Sequence, residues 1–208
     1  MLGAPRPHQF YAMSKRRKSA KADRKNKDKS KHPGPKMAET ADRHALYQEA
    51  VQCVETEIDF VDETYTELRG REASLLREDF AGTANTSCEW VRRRKTNRAL
   101  AVDLDREVLE WGQRHNVQPM GDAGSRVSLL LEDVMQVKTD PVDAVLAHNF
   151  SYWLFKDRTS LRDYFEKVRG DLFADGLFFL DAYGGSEAYS VDGGSYDREL
   201  SRVEGSAN

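Results

Sequence analysis

Short apolar runs alternating with stretches of helical period constrain this chain more than any other feature. Ser74-Leu75-Leu76, Arg98–Asp103, Val127–Leu131, Val142–Ala147 and Gly176–Leu180 read as strands. Between them, residues 85–95, Arg106 to Asn116 and Thr159 to Phe173 carry helical patterns, the last with Leu161, Tyr164, Phe165 and Val168 on one face. Strands whose apolar residues run on continuously are buried on both faces, and a βαβα order implies a parallel sheet covered by helices on each side. The expected fold class is a doubly wound, mostly parallel α/β sheet of about five strands. Such sheets bind ligands beyond the carboxyl ends of their strands, where the strand order reverses.

Upstream of the first strand, Leu46, Ala50, Val51, Val54, Ile58, Val61, Tyr65 and Leu68 recur every three or four residues. That spacing predicts one long helix or two short ones over residues 41–69, ended by Gly70, with its apolar face in the core. The net charge of −3 is unevenly distributed. Residues 14–36 hold 11 Lys/Arg against Asp23 and Asp28, a local charge of +9, which leaves residues 37–208 at −13. A block of like charge without apolar residues cannot offset the entropy lost on ordering, so residues 1–36 are expected to form a disordered basic tail, closed by Pro33-Gly34-Pro35. Such a tail serves as a nucleic-acid tether or a nuclear-localisation signal, or else as a solubilising segment or one that folds back on the acidic body. The second pair is favoured, because no aromatics interleave with the charges. The expected organisation is therefore a tail (1–36), a helical segment (37–70) and an α/β domain (71–208).

No apolar run approaches the roughly 18–20 residues of a membrane span, and the N-terminus lacks the apolar core of a secretory signal. Cys53 and Cys88 cannot form a disulfide framework, and no Cys/His cluster has zinc-ligand spacing. A reducing compartment, cytoplasm or nucleus, is the expectation, with no metal.

The residues just after each strand are where chemistry is sought. Arg77 to Asn85 follow the first strand and contain Gly82 between the small residues Ala81 and Ala84, so backbone can approach a ligand closely. The second strand ends in Asp103, 21 residues after Gly82, where a carboxylate is placed to accept from ribose hydroxyls. Asp133 follows the third strand and can accept from an exocyclic amine. Asp105 reads as a helix cap.

LLREDFAGTANTSCEWV, RALAVDLDREVLEWG, RVSLLLEDVMQV, PVDAVLAHNFSYWLF and GLFFLDAYGG, in this order, resemble the successive motifs of class I S-adenosylmethionine-dependent methyltransferases. More narrowly they are similar to a branch whose first motif reads LREDFCGTA. The resemblance runs from about Leu46 to Asp197 and implies a Rossmann-like sheet with S-adenosylmethionine across the ends of the first strands. It puts Glu78 near the methionine amino group, Ala81, Gly82 and Thr83 in the turn beneath the methionine, and Asp103 on the ribose. It also puts Leu104 against the adenine, with Asp133 and the backbone of Val134 at the adenine edge. Phe80 stands where the usual motif has its first glycine, and Ala81 replaces the branch's cysteine. A dinucleotide oxidoreductase is disfavoured, because no G-x-G-x-x-G cradle follows the first strand.

Methyl transfer needs alignment and exclusion of water, and a base only where the acceptor must first lose a proton. Candidate residues lie after strand four, in His148-Asn149-Phe150-Ser151-Tyr152-Trp153, and after strand five, in Asp181-Ala182-Tyr183. Asn149 and Tyr152 occupy the relative positions of Asn and Tyr in the N-P-P-Y motif of amino-group methyltransferases, with Phe150-Ser151 in place of the prolines. In the alternative, Asn149 caps the loop and the aromatics pack as a lid. His148 is a cofactor contact, a base, or a structural residue. Cys88 reads as a buried small residue.

The family's domain ends in an antiparallel hairpin beside strand five, and the Gly- and Ser-rich residues after Asp181 offer no alternating segment for it, at most a weak helix over 187–203. A truncated chain is the expectation, with strand five an uncovered edge open to self-association. The function expected is methyl transfer to an unidentified acceptor. The alternative is a non-catalytic module of the same fold, brought to RNA by the tail.

Overall fold

The structure, a computed structural model, describes residues 40–182, and the fold below is that of the compact unit beginning at Asp42. The basic stretch 14–36 and the segment 187–203 lie outside the described residues. Helices α1 (Arg43–Val51) and α2 (Val54–Arg69) precede β1 (Leu75–Asp79). Then follow α3 (Asn85–Arg93), β2 (Arg98–Asp103), α4 (Arg106–Gly112), β3 (Val127–Leu131), β4 (Val142–Ala147), α5 (Arg158–Asp171) and β5 (Leu172–Leu180). The five strands form one parallel sheet in the order β3-β2-β1-β4-β5. The order reverses between β1 and β4, which sets the place where a doubly wound sheet opens a ligand crevice.

Side chains of a strand alternate between faces, and each face here has its own helical cover. Ile58, Val61 and Tyr65 of α2 pack with Trp90 and Val91 of α3 on Leu76, Leu146 and Phe179. Tyr164 and Val168 of α5 pack with Val102, Val145 and Phe178 on the opposite face. Trp90 is fully buried and its indole N–H donates to the Arg98 carbonyl at 3.1 Å, so the largest core side chain leaves no polar atom stranded.

The predicted 41–69 segment is two helices, parted at Gln52-Cys53. Asp42 caps the first by accepting from the N–H groups of His44 and Ala45, and Gly70 ends the second in the left-handed region at φ 66°. β2, β3 and β4 have the bounds read from the sequence. The first strand does not: it runs to Asp79, so Arg77, Glu78 and Asp79, expected in the following loop, are strand residues and buried. The helix expected over 106–116 is regular only to Gly112. It continues as a π turn (Gln113–Val117) and a 3-10 segment (Gln118–Arg126) broken at Gly121. The last helix stops at Asp171 and β5 starts at once, so Phe173 belongs to the strand, which joins β4 through a register shift between Val142 and Ala144. β5 is an edge of the sheet among the described residues.

One carboxylate ties the amino ends of β1 and β4. Asp143, 3% exposed, accepts from the N–H groups of Ser74 (2.8 Å) and Leu75 (2.9 Å) and pairs with Arg71 at 2.9 Å. Burial opposes its ionisation, but the two N–H donors and Arg71 outweigh it and hold the carboxyl below its ordinary value. Asp143→Ala would strand buried donors, and the expected loss in chemical denaturation is about 3 kcal/mol.

Candidate ligand site at the switch point

A cavity of about 180 Å³ opens at the carboxyl ends of β1 and β4, lined by Glu78, Asp79, Phe80, Ala81, Gly82 and Thr83 from one side and His148, Asn149 and Ser151 from the other. His44, Tyr47 and Gln52, from α1 and the residue after it, and Val108 from α4 complete the wall. The turn after β1 is strained. Phe80 (φ 59°), Gly82 (φ 54°) and Ala84 (φ 55°) are all left-handed, and only one of them is glycine. Phe80, in the place of the motif's first glycine, adopts the backbone a glycine would favour, at a cost of about 1–2 kcal/mol.

Hydrogen bonds over-determine that turn. Ala81 N–H donates to the Val102 carbonyl (2.9 Å), Ala84 N–H to the Ala81 carbonyl (2.8 Å), and Gly82 N–H to Asp103 Oδ2 (2.7 Å). Asn116 holds the Thr83 carbonyl at 2.9 Å and Gln48 of α1 holds the Thr83 hydroxyl at 2.6 Å. Gly112 must lack a side chain, since a Cβ there would sit 2.3 Å from the Thr83 carbonyl oxygen. α1 is in turn fastened to α4 by the Trp111 indole, which donates to Asp42 Oδ2 at 2.7 Å.

Across β4 the same strategy recurs. Asn149 (φ 56°) and Phe150 (φ 55°) are consecutive left-handed residues, and Asp181, just past β5, accepts from the Phe150 N–H at 2.9 Å. Two of these four left-handed non-glycine residues, Phe80 and Asn149, line the cavity, and Ala84 and Phe150 belong to the same two loops, a clustering of the kind found at ligand sites.

Three ionisable groups from separate elements meet here. Glu78, buried on β1, accepts through Oε2 from the N–H (2.9 Å) and hydroxyl (2.6 Å) of Ser87. Desolvation outweighs these bonds and pushes its carboxyl up to about 7. His148 Nδ1 lies 3.4 Å from Glu57 Oε2 of α2, an ion-pair distance, and neither accepts nor donates a hydrogen bond among the described residues. Burial works against the imidazolium, but Glu57, Glu78 and Asp181 outweigh it and raise the histidine above its ordinary value.

Of the residues singled out from sequence, Glu78, Ala81, Gly82, Thr83, His148 and Asn149 line this one cavity. Asp103 joins it through Gly82, its other oxygen accepting from Asp105 N–H at 2.8 Å. Leu104 is 70% exposed beside it, in a shallow depression with Asp105, Arg106 and Glu107. Asp133 closes the turn after β3, accepting from Met135 N–H at 2.9 Å, and the Val134 side chain is core. Tyr152 packs against the α5 side of the sheet with Phe155 and Trp153, apart from the cavity lining. Asp105 caps α4, accepting from the Glu107 and Val108 N–H groups. Cys88 is fully buried and its thiol is pushed up to about 12, which makes it inert as a nucleophile. The part played by α1 and by Glu57 was missed, because the helical period of residues 41–69 showed a core face and nothing of what its polar side chains meet.

No protein-family model and no curated protein matches the sequence. Solved structures do match. A sugar N-methyltransferase, KedS8 of Streptoalloteichus sp ATCC 53650, aligns at 17% identity and TM-score 0.59 over 74% of this chain and 58% of its own. CalS10, an amino pentose methyltransferase of Micromonospora echinaspora solved with S-adenosylmethionine bound, aligns at 16% and 0.57 over 69% and 57%. An S-adenosylmethionine-dependent methyltransferase of Clostridium acetobutylicum ATCC 824 aligns at 20% and 0.57 over 66% and 55%.

This is the class I methyltransferase fold. The chain spans a little over half the length of each of these proteins.

Glu78 makes a prediction without reference to any ligand. Its folded value lies near 7 against an ordinary 4.5, so the folded protein keeps a proton that the unfolded chain releases. Stability from this group is full below the unfolded value and is lost as pH rises towards 7. The stability advantage of Glu78→Gln over the parent, measured by urea unfolding, is therefore expected to grow by about 3 kcal/mol between these limits and then level off.

Proposed function

We propose that the cavity binds S-adenosylmethionine and that the chain transfers its methyl group to a small acceptor. The observation that carries this reading is the joining of two carboxylates through one glycine turn. Glu78 faces the turn from β1, and Asp103, at the end of β2, accepts from Gly82 within it.

The residues present fit the cofactor. A carboxylate buried beside a cavity meets its best partner in a cation, and the methionine ammonium is one. Each Asp103 oxygen accepts one backbone N–H and keeps a lone pair for a ribose hydroxyl. Exposed Leu104, next along the chain, offers an apolar face of the kind a purine covers. Asp133 and the backbone of Val134 extend that edge. The bound cofactor supplies an activated methyl group attached to its own leaving group. The protein's part is to orient, to exclude water through α1 and Tyr47, and to manage the acceptor's proton.

Asn149 reaches the cavity while Tyr152 packs away from it, so of that pair only Asn149 is placed in this proposal to meet the methyl acceptor. That separation also favours a second reading, a non-catalytic module that binds the adenosyl ligand. Methyl transfer from labelled cofactor into small-molecule extract distinguishes the two.

Titration calorimetry with S-adenosylhomocysteine tests the cofactor site. Affinity is expected to rise with pH through about 7, as Glu78 gives up the proton that an incoming ammonium replaces. Asp103→Ala is expected to weaken binding at least tenfold, about 1.4 kcal/mol, and an unchanged dissociation constant would remove Asp103 from the site.

A further inference from the structure

His148 borders a second space. Between α2 and β5 lies a cavity of about 710 Å³, lined by Thr56, Glu57, Phe60 and Thr64 of α2, by Leu177 to Leu180 of β5, and by His148 and Asp181. Phe60 is 61% exposed and stands edge-on to Phe179, with ring centroids 6.2 Å apart, so much of the wall is aromatic. The end nearest the first cavity is different: Glu57, Asp181 and His148 gather there, and His148 lines both cavities. An apolar trough closed by two carboxylates and an imidazole is complementary to an apolar molecule that ends in a cation.

We propose that this second cavity is the acceptor site and takes an apolar amine, with His148, backed by Glu57, as the group that removes the ammonium proton. The inference rests on the reading of the first cavity as the methyl-donor site. Nδ1 lies 3.4 Å from the Glu57 carboxylate without hydrogen-bond geometry, so in this proposal the Glu57 charge favours the tautomer with its proton on Nδ1, and Nε2 is the basic nitrogen. The ammonium N–H bond breaks, its electron pair stays on the amine nitrogen, and the proton passes to Nε2. The imidazolium is stabilised by Glu57 at 3.4 Å. The amine, now nucleophilic, sits beside the residue that also walls the donor cavity. The titratable groups facing the imidazole are Glu57 from α2, Asp181 after β5 and Glu78 from β1, which burial keeps protonated up to about 7, all acidic. Its own protonation is therefore the main source of repulsion towards a cationic ligand.

The test uses the full chain with 2-(2-naphthyl)ethylamine as probe and 2-(2-naphthyl)ethanol as its neutral counterpart. Amine affinity is expected to rise about tenfold as His148 loses its proton on going to alkaline pH, while alcohol affinity stays flat. In NMR titrations the His148 ring, assigned by its loss in His148→Gln, should shift its midpoint downward when amine is bound. His148→Gln should cut the pH dependence to the part carried by Glu78, which the double variant with Glu78→Gln should remove, and Glu57→Gln should lower the free His148 midpoint and weaken the amine. Thr64→Trp, which fills the trough, should block the amine and leave S-adenosylhomocysteine binding intact. Amine affinity that is independent of pH, or insensitive to Thr64→Trp, overturns the proposal. So does a photo-crosslinker on Cys53, at the mouth of the trough, if it captures a second copy or residues 183–208 in preference to the probe. Binding of S-adenosylhomocysteine without the amine defeats this inference alone. Binding of the amine without S-adenosylhomocysteine defeats the reading on which it rests.

Discussion

β1 carries three consecutive ionisable residues through the middle of a parallel sheet, and the rest of the molecule is arranged around satisfying them. Arg77 is fully buried, Asp79 is 1% exposed and Glu78 6%. Strand alternation sends Arg77 and Asp79 to the α5 face and Glu78 to the α3 face. On the first face Arg77 binds Asp79 at 2.8 Å and reaches Asp171 of α5, while the Tyr164 hydroxyl donates to Asp79 at 2.9 Å. This closed network converts an expensive burial into a fixed docking geometry for α5, since removing any one partner strands the others. On the second face Glu78 accepts from Ser87, with Thr86 beside it, and there too the carboxylate stays costly. On both faces desolvation outweighs the bonds and raises the carboxyl, and Glu78 and Asp79 both line the cavity.

Strain follows the same geography. Phe80, Ala84, Asn149 and Phe150 are all the non-glycine residues with positive φ among the described residues, and they lie in the two loops that face each other across the switch point. Two of them are held by bonds that would be lost if the loop relaxed, Ala84 N–H to the Ala81 carbonyl and Phe150 N–H to Asp181. Glycine at 80 would have removed the steric penalty. Phenylalanine gains contact with Phe155 and Tyr164, with ring centroids 6.3 and 5.8 Å away, and so anchors the turn to the α5 layer. Packing has been exchanged for backbone comfort.

Most of the fold was legible in the sequence because apolar runs announce buried strands. Val142–Ala147 and Val127–Leu131 have no competing signal, and the structure gives them the bounds they suggest. The sequence ends β1 too early because Arg-Glu-Asp does not look like a buried strand, and part of what makes it one, the pairing of Arg77 with Asp171, comes from a residue 94 positions away. The π turn after Gly112 was invisible for a different reason. It exists to bring Asn116 and a bare glycine against Thr83, a tertiary demand that local period does not record. At the site, the strand-end rule placed Gly82 and Asp103 correctly with respect to each other. It could say nothing of Glu57 or Tyr47, which arrive from helices whose apolar face is all that their spacing reveals.

The free-energy costs of this site are concentrated in a few groups. Glu78 is desolvated, the His148 imidazole is buried with Glu57 at 3.4 Å, and two loops hold bulky residues in left-handed backbone. In the proposed reading, the ammonium of a ligand offsets the desolvation of Glu78. Preorganisation here lies in the scaffold: the hydrogen bonds from Asp103, Asn116 and Gln48 fix the turn before anything binds. The ordering entropy is therefore spent during folding, and binding energy is left free to distinguish one ligand from another.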